Sequence, residues 1–346
     1  MQYRTLGRTG MRVSRVCLGT MTFGEQTAPA DAHRQLDLAV DRGVNFIDTA
    51  EAYPVPPRAE TSGRTETIIG EWLRARGARD RVVLATKVAG RSSDMTWLRD
   101  GPVRPDRRNI QAALEASLRR LQTDYVDLYI VHWPDRPTNV MGRALYEHRA
   151  DADAVPIEDT LATLDAHVRA GKVRAVAVSN ETPWGVMRYL AAADTRGLAR
   201  IAAIQNPYSL LNRTFESALA EVALREQVGL MAYSPLAMGM LTGKYAHGAR
   251  PADARLTRFE RFARYSGERG REAAQAYVDL ARTHGLDPAH LALAFVHRQP
   301  FLSATVIGAS RLEQLEHALA GESLELSPDV LAGIEAIHAA SPNPCP

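Results

Sequence analysis

Four polar residues in the first half of the chain could together protonate a carbonyl oxygen: Asp48, Tyr53, Lys87 and His132. A phenol titrates near pH 10 and is a sluggish acid at neutral pH. An ammonium beside it favours the phenolate, and lowering the phenol by two to three pH units takes roughly 3–4 kcal/mol of such interaction. Lys87 can supply that charge, and Asp48 can hold Lys87 in place. Neutral His132 can donate a hydrogen bond to the carbonyl oxygen and fix its direction. The set is therefore expected to form an acidified tyrosine aimed at a carbonyl whose carbon receives a hydride from elsewhere. Taken singly, each residue has a plainer reading: a turn or cap for the aspartate, a solvated or packed place for the lysine and tyrosine, a core place for the histidine.

The elements that must position them follow from hydrophobic patterning. Short aliphatic runs at Val16–Leu18, Val44–Ile47, Val82–Thr86, Tyr125–Val131, Val173–Val178, Ile201–Ile204, Gly229–Tyr233 and Ala304–Ile307 are bounded by turn residues or charges, as buried parallel strands are. Amphipathic helices alternate with them, among them Asp31–Arg42, Asn109–Leu121 and Ile157–Ala170. Eight strand–helix units without a Pro-, Gly- or Ser-rich linker predict one α/β domain over residues 1–346, a closed (β/α)8 TIM barrel. Tyr3–Leu6 and Met11–Val13 read as a β-hairpin ahead of it. Asp48, Lys87 and His132 end the second, third and fourth strands, with Tyr53 in the loop after the second. Strands about 4.8 Å apart put those ends within roughly 10 Å. The long connections Pro134–Pro156 and Ser234–Arg271 both follow strands, so both are expected on the C-terminal face, where barrel sites are built.

Composition narrows the field. The chain is 45% hydrophobic and 24% charged with a net charge of +2, which excludes a dedicated nucleic-acid binder. The basic stretch Lys244–Arg271, with Phe259, Phe262 and Tyr265 interleaved, reads as a solvated lid rather than an RNA-binding loop. Cys17 and Cys345 make neither a disulfide framework nor a zinc spacing. No signal peptide precedes the first strand, and the uncharged run Val228–Gly243 is broken by Gly229, Ser234, Pro235 and Gly239, so a cytoplasmic, soluble protein without membrane contact is expected. No G-x-G-x-x-G follows a strand. Gly239–Lys244 falls one residue short of a P-loop, and Tyr245 stands where a hydroxyl would hold magnesium. No metal-binding pattern is present.

Asp48, Tyr53, Lys87 and His132 match, in type and order, the catalytic tetrad of the aldo-keto reductases, and the chain resembles that family over nearly its whole length. The resemblance runs through Tyr3–Gly10, Cys17-Leu18-Gly19-Thr20-Met21, Asn45–Ala50, Asp127–Trp133, Gly171–Arg174, Val178-Ser179-Asn180 and Leu241–Tyr245. Tyr53–Arg58, Arg136–Asn139 and Gln205–Asn212 make it most similar to the bacterial Tas-type branch. The resemblance implies NADP(H) on the C-terminal face. Gly19, Thr20, Met21 and Asp48 would be cofactor contacts; Ser179, Asn180 and Gln205 would hold the carboxamide and Tyr233 stack on the ring. Ser234, Pro235, Leu236, Ala237, Gly239, Leu241, Thr242, Gly243 and Lys244 would form the pyrophosphate loop, with Arg255 a further phosphate contact. Gly308, Ser310, Arg311 and Gln314 would hold the adenosine end. Ser310, read as the start of the last helix, places a helix N-terminus and Arg311 where a 2′-phosphate would sit, favouring NADP over NAD. His317 and Ala318 replace the acidic residue and asparagine frequent near the adenine.

The reading that results is NADPH-dependent reduction of a small aldehyde or ketone. The alternative is a nicotinamide-sensing regulatory module with little turnover. Substrate choice is expected from Pro54–Thr65, Pro134–Pro156 and the C-terminal segment, with Trp133 and Tyr208 as candidate pocket walls; substrate and oligomeric state are not encoded in any motif.

Overall fold

The structure is a computed structural model describing residues 1–139, 141–150, 153–259 and 264–346. β1 (Tyr3–Thr5) and β2 (Arg12–Ser14) pair antiparallel as a hairpin. β3 (Val16–Gly19), β4 (Phe46–Asp48), β5 (Val83–Val88), β6 (Val126–Val131), β7 (Val173–Ser179), β8 (Ile201–Pro207), β9 (Gly229–Tyr233) and β10 (Leu302–Ile307) are parallel and close into a barrel, β10 pairing with β3. Helices α1 (Pro29–Asp41), α2 (Arg64–Arg76), α3 (Arg107–Leu121), α4 (Ile157–Arg169), α5 (Pro183–Arg196) and α6 (Leu219–Glu226) each follow a strand. The (β/α)8 barrel with its N-terminal hairpin is the expected fold.

The two-residue period of the strands divides the apolar side chains into two cores. Phe46, Ala85, Leu128, Ala177, Ala203, Met231 and Ala304 fill the barrel interior with Leu6, Met11 and Val13 of the hairpin, which plugs the N-terminal mouth. Their strand neighbours Ile47, Leu84, Tyr129, Val176, Ile204 and Leu230 pack outward against helix residues such as Leu36, Ile69, Trp72, Leu114 and Leu164. One step beyond the inner apolar layer, the same alternation brings Gly19, Asp48, Lys87, His132, Ser179, Gln205, Tyr233 and Gly308 to the C-terminal rim. Among the described residues no helix is long and apolar enough to cross a membrane. Both cysteines are free and buried.

The long connection after β9 carries elements of its own: it holds 3-10 turns at Ala237–Thr242 and Ala246–Gly248, the short α7 (Arg255–Arg258), and the start of α8 (Glu268–Thr283), which α9 (Pro288–His297) follows. One expectation about elements is corrected. Ser310 does not begin the last helix. α10 (Leu312–Ala320) is capped at Arg311, and α11 (Pro328–Ala340) comes after it, because Ser327 caps a further turn by accepting from the Val330 N–H. Phe262 lies outside the described residues.

Candidate active site

Asp48 closes β4 in register with Gly19 on one side and Ala85 on the other. Lys87 lies on β5, and His132 follows β6 directly, its N–H donating to the Val88 carbonyl at 2.9 Å. Lys87 is fully buried. A buried ammonium must be paired, and its Nζ donates to Asp48 Oδ2 at 2.7 Å, to the Thr49 carbonyl at 2.9 Å and to the Tyr53 hydroxyl at 3.5 Å. The other Asp48 oxygen accepts from Gln205 Nε2 at 2.8 Å. Tyr53 arrives on the loop after β4, whose base is closed by the Gly63 N–H donating to the Tyr53 carbonyl at 3.0 Å. The His132 ring stands edge-on to Tyr53, with centroids 5.7 Å apart, and against Trp133 at 4.8 Å. The structure therefore brings all four sequence-selected residues to one place.

Their electrostatics differ from the sequence expectation in one respect. Burial works against the Lys87 charge, but Asp48 and Tyr53 outweigh it and hold its pKa above the ordinary lysine value. Burial also raises Tyr53; Lys87 pulls it down and Asp48 pushes it back up, leaving the phenol above its ordinary value rather than acidified. The chief cause is burial of the phenol, which the Lys87 charge, partly countered by the Asp48 carboxylate it pairs with, does not overcome. Tyr53 is consequently a fully protonated donor at neutral pH. His132 is held well below its ordinary value, first by burial and then by the Lys87 charge, so its ring is neutral. Its Nδ1 is buried without a hydrogen-bond partner.

A second group adjoins the first. Ser179 Oγ donates to the Gln205 carbonyl at 2.8 Å, Asn180 Nδ2 donates to the His132 carbonyl at 2.9 Å and to Ser179 Oγ at 3.1 Å, and the Tyr233 hydroxyl donates to Asn180 Oδ1 at 2.6 Å. Asp48, Tyr53 and His132 of the first group, with Lys87 buried behind them, and all of the second line one cavity of about 1380 Å3. From Tyr53, His132 and Trp133 it passes Gly19, Thr20, Met21, Ser179, Asn180, Gln205 and Tyr233, then Ser234, Pro235, Leu236, Gly239, Thr242, Lys244 and Arg255, and ends among Gly308, Ser310, Arg311, Gln314, His317 and Ala318.

Three loop residues singled out from the sequence do not line it. Ala237 and Leu241 are buried in the outer core, and a Cβ on Gly243 would face Val278, Arg282 and Pro288. They belong to the backbone of a tightly wound loop in which Ser234, Ala237, Met238 and Gly239 all have positive φ, a conformation that persists only when its surroundings enforce it. Tyr208 is not a pocket wall either: it is buried between Phe295 and Phe301, its hydroxyl on Glu216 at 2.5 Å. Trp133 both lines the cavity and packs on His132. Ser310 uses its N–H and hydroxyl on Gln314 Oε1, at 3.0 and 3.1 Å. Met238, Arg91 and Arg264 also line the cavity; no sequence pattern selected them, although Arg264 lies in the basic stretch noted above.

The donor set fits a dinucleotide. Neutral amides at Asn180 and Gln205 suit a carboxamide, and Tyr233 offers a ring. Burial lowers the Lys244 pKa, and the like charges of Arg255 and Arg311 lower it further; a phosphate among these cations relieves that repulsion. Gly239 has φ +97°, where an L side chain is strained, and a Cβ there would also crowd Lys244 Cε at 2.4 Å. At the far end, Asp287, His290 and His317 bring donor atoms within 4.8 Å of one another. The two rings are stacked at 4.4 Å, and His290 Nε2 is 2.7 Å from the His317 carbonyl, so their lone pairs do not converge on one point.

Comparison with known proteins agrees with this geometry. The family model described as the aldo/keto reductase family matches residues 15–339. The chain is 55% identical to Protein tas of Escherichia coli (strain K12) over 350 residues, covering 100% of both chains. It is 37% identical to the uncharacterized oxidoreductase YrpG of Bacillus subtilis (strain 168), over 96% of this chain and 94% of that one. It is also 31% identical to a probable voltage-gated potassium channel subunit beta of Oryza sativa subsp. japonica, over 99% of this chain and 98% of the relative.

Proposed function

The chain belongs to the aldo/keto reductase family of oxidoreductases, in its Tas-type branch, and from that premise we propose that it reduces aldehydes or ketones to alcohols with NADPH, Tyr53 giving the proton. The observation that carries this reading is the placement of Lys87 Nζ between Asp48 Oδ2, at 2.7 Å, and the Tyr53 hydroxyl, at 3.5 Å, beside a neutral His132 at the mouth of a closed barrel. The cofactor, when bound, supplies the hydride.

The chain's own residues do the rest. A neutral His132 donates a hydrogen bond to the carbonyl oxygen without adding charge to the resting site, and so orients the carbonyl. As negative charge grows on that oxygen, the Tyr53 hydroxyl passes its proton across, and Lys87 stabilises the phenolate left behind. Asp48 keeps Lys87 charged and aimed, and Gln205 fixes the other Asp48 oxygen. Asn180, tied to the His132 carbonyl, couples the carboxamide subsite to the proton-donating one. Ser310 and Arg311 support NADP over NAD, because a 2′-phosphate there meets a guanidinium beside a helix N-terminus.

The test follows NADPH absorbance with a panel of aromatic and aliphatic aldehydes. Steady oxidation is expected. Arg311→Ala should weaken NADPH binding by about tenfold while NADH binding changes little, and equal losses on both would remove the NADP preference. The likeness to a channel β-subunit favours a second reading, a nicotinamide-sensing module. Tight NADPH binding with no turnover on any aldehyde would select it.

A further inference from the structure

Two guanidinium groups face the substrate end of the cavity, and they are held differently. Arg91, on the loop after β5, donates to Asp135 Oδ2 and to Asp153 Oδ2, each at 3.0 Å, so carboxylates already balance its charge. Arg264, from the long connection after β9, has no such balance among the described residues. Its Nη2 donates to the Tyr265 hydroxyl at 2.7 Å, and the guanidinium also meets the Tyr233 hydroxyl. Its Nε is buried without a hydrogen-bond partner, and among the described residues no carboxylate pairs with it. Burial holds both phenols above their ordinary pKa, so they are neutral. Among the described residues, Arg264 is thus a largely buried positive charge supported by dipoles, which is costly unless an anion completes it.

Its position says which anion. The Tyr233 hydroxyl that Arg264 meets also donates to Asn180, whose amide holds the His132 carbonyl. A Cβ on Gly142 would lie 3.0 Å from Arg264 Cδ, so the guanidinium stands where the loops after β6 and β9 converge, beside the cavity wall formed by Met141. The cofactor's phosphates have their own cations, Lys244, Arg255 and Arg311, further along the cavity. What remains for Arg264 is a charge on the substrate.

We propose that Arg264 determines specificity at this site by selecting carbonyl compounds that carry a carboxylate or phosphate several bonds from the reacting carbon. Planar, forked donors suit both oxyanions. The inference rests on the carbonyl-reductase reading, and the test separates the two. Wild type, Arg264→Gln and Arg264→Lys are assayed with 4-carboxybenzaldehyde against its methyl ester, and with 4-formylphenyl phosphate against 4-methoxybenzaldehyde. In the wild type the charged member of at least one pair should have the higher kcat/KM, and the pair with the larger ratio names the anion. Arg264→Gln should cut that ratio by roughly tenfold or more, mainly through KM, with Arg264→Lys retaining part of it. A ratio that Arg264→Gln leaves unchanged overturns the inference, as does equal loss on charged and neutral partners or a parallel rise in the NADPH Kd. Binding of benzoate and benzamide to the NADPH complex, followed by tryptophan fluorescence, gives a readout that needs no turnover. If no aldehyde reacts but benzoate affinity depends on Arg264, carbonyl reduction fails and the anion preference stands.

Discussion

Lys87 carries a full charge where water cannot reach it, and its partners decide what Tyr53 can do. Asp48 keeps the lysine charged, and burial keeps the proton on the phenol. Tyr53→Phe should lower kcat for carbonyl reduction by about 10^2- to 10^4-fold, the range for removing a positioned acid, with NADPH affinity little altered; near-normal turnover would show that the donor lies elsewhere. Lys87→Met removes a charge that lowers both Tyr53 and His132. Both pKa values should then rise. The alkaline limb of kcat/KM, where Tyr53 loses its proton, should move to higher pH as turnover drops, and His132 should titrate closer to its ordinary value near 6.5. An unmoved pH profile in the variant would count against the electrostatic role.

At the scale of elements, the site depends on how closely two strand-end loops approach. Gly90, after β5, lies so near the loop after β6 that a Cβ would stand 2.1 Å from the Trp133 carbonyl oxygen. Trp133 in turn donates from Nε1 to the Arg91 carbonyl at 2.8 Å and packs on His132. Gly90→Ala must therefore push the loops apart. It should cost about 1–3 kcal/mol of stability, the usual scale of overpacking, and lower kcat/KM at least tenfold because the His132 ring loses its wall. Denaturant unfolding and steady-state assays on the same preparation check both; a variant with wild-type stability and turnover would mean that the loops have slack. The wound loop after β9 acts similarly, its positive-φ residues turning the backbone toward the cavity while Ala237 and Leu241 anchor it in the outer core.

For the whole molecule, the hairpin brings Arg4 and Arg15 against the chain after α9 and α10, Arg4 donating to the His297 carbonyl and Arg15 pairing with Glu322. His297, at the end of α9, is buried there near Arg15 and Arg4, and burial followed by those two charges lowers its pKa to about 3. An unfolded chain takes up the histidine proton near pH 6.5, whereas the folded one refuses it until far lower pH. Protons therefore favour unfolding, and stability should fall by about 1.4 kcal/mol per pH unit between about pH 6 and pH 4 from this residue. His297→Leu should flatten that part of the curve without loss of stability at pH 7. Denaturant unfolding at stepped pH decides it, and an unchanged slope in the variant would assign acid sensitivity to other groups.

The eight strand positions, the hairpin and the four residues at the strand ends were legible in the amino-acid sequence. Side-chain periodicity and residue type are local properties, and alternation carries Asp48, Lys87 and His132 inward whatever the rest of the chain does. Distances between residues far apart in sequence were not legible. They bury Tyr53 and set how far Lys87 and Asp48 offset that burial, and so left the phenol protonated where residue types alone suggested acidification. They also buried Tyr208 between Phe295 and Phe301, and drew Arg264 out of an ordinary basic stretch to the cavity wall. Electrostatic and packing energies depend steeply on separation and on solvent exclusion, and only closure of the barrel and its loops determines either.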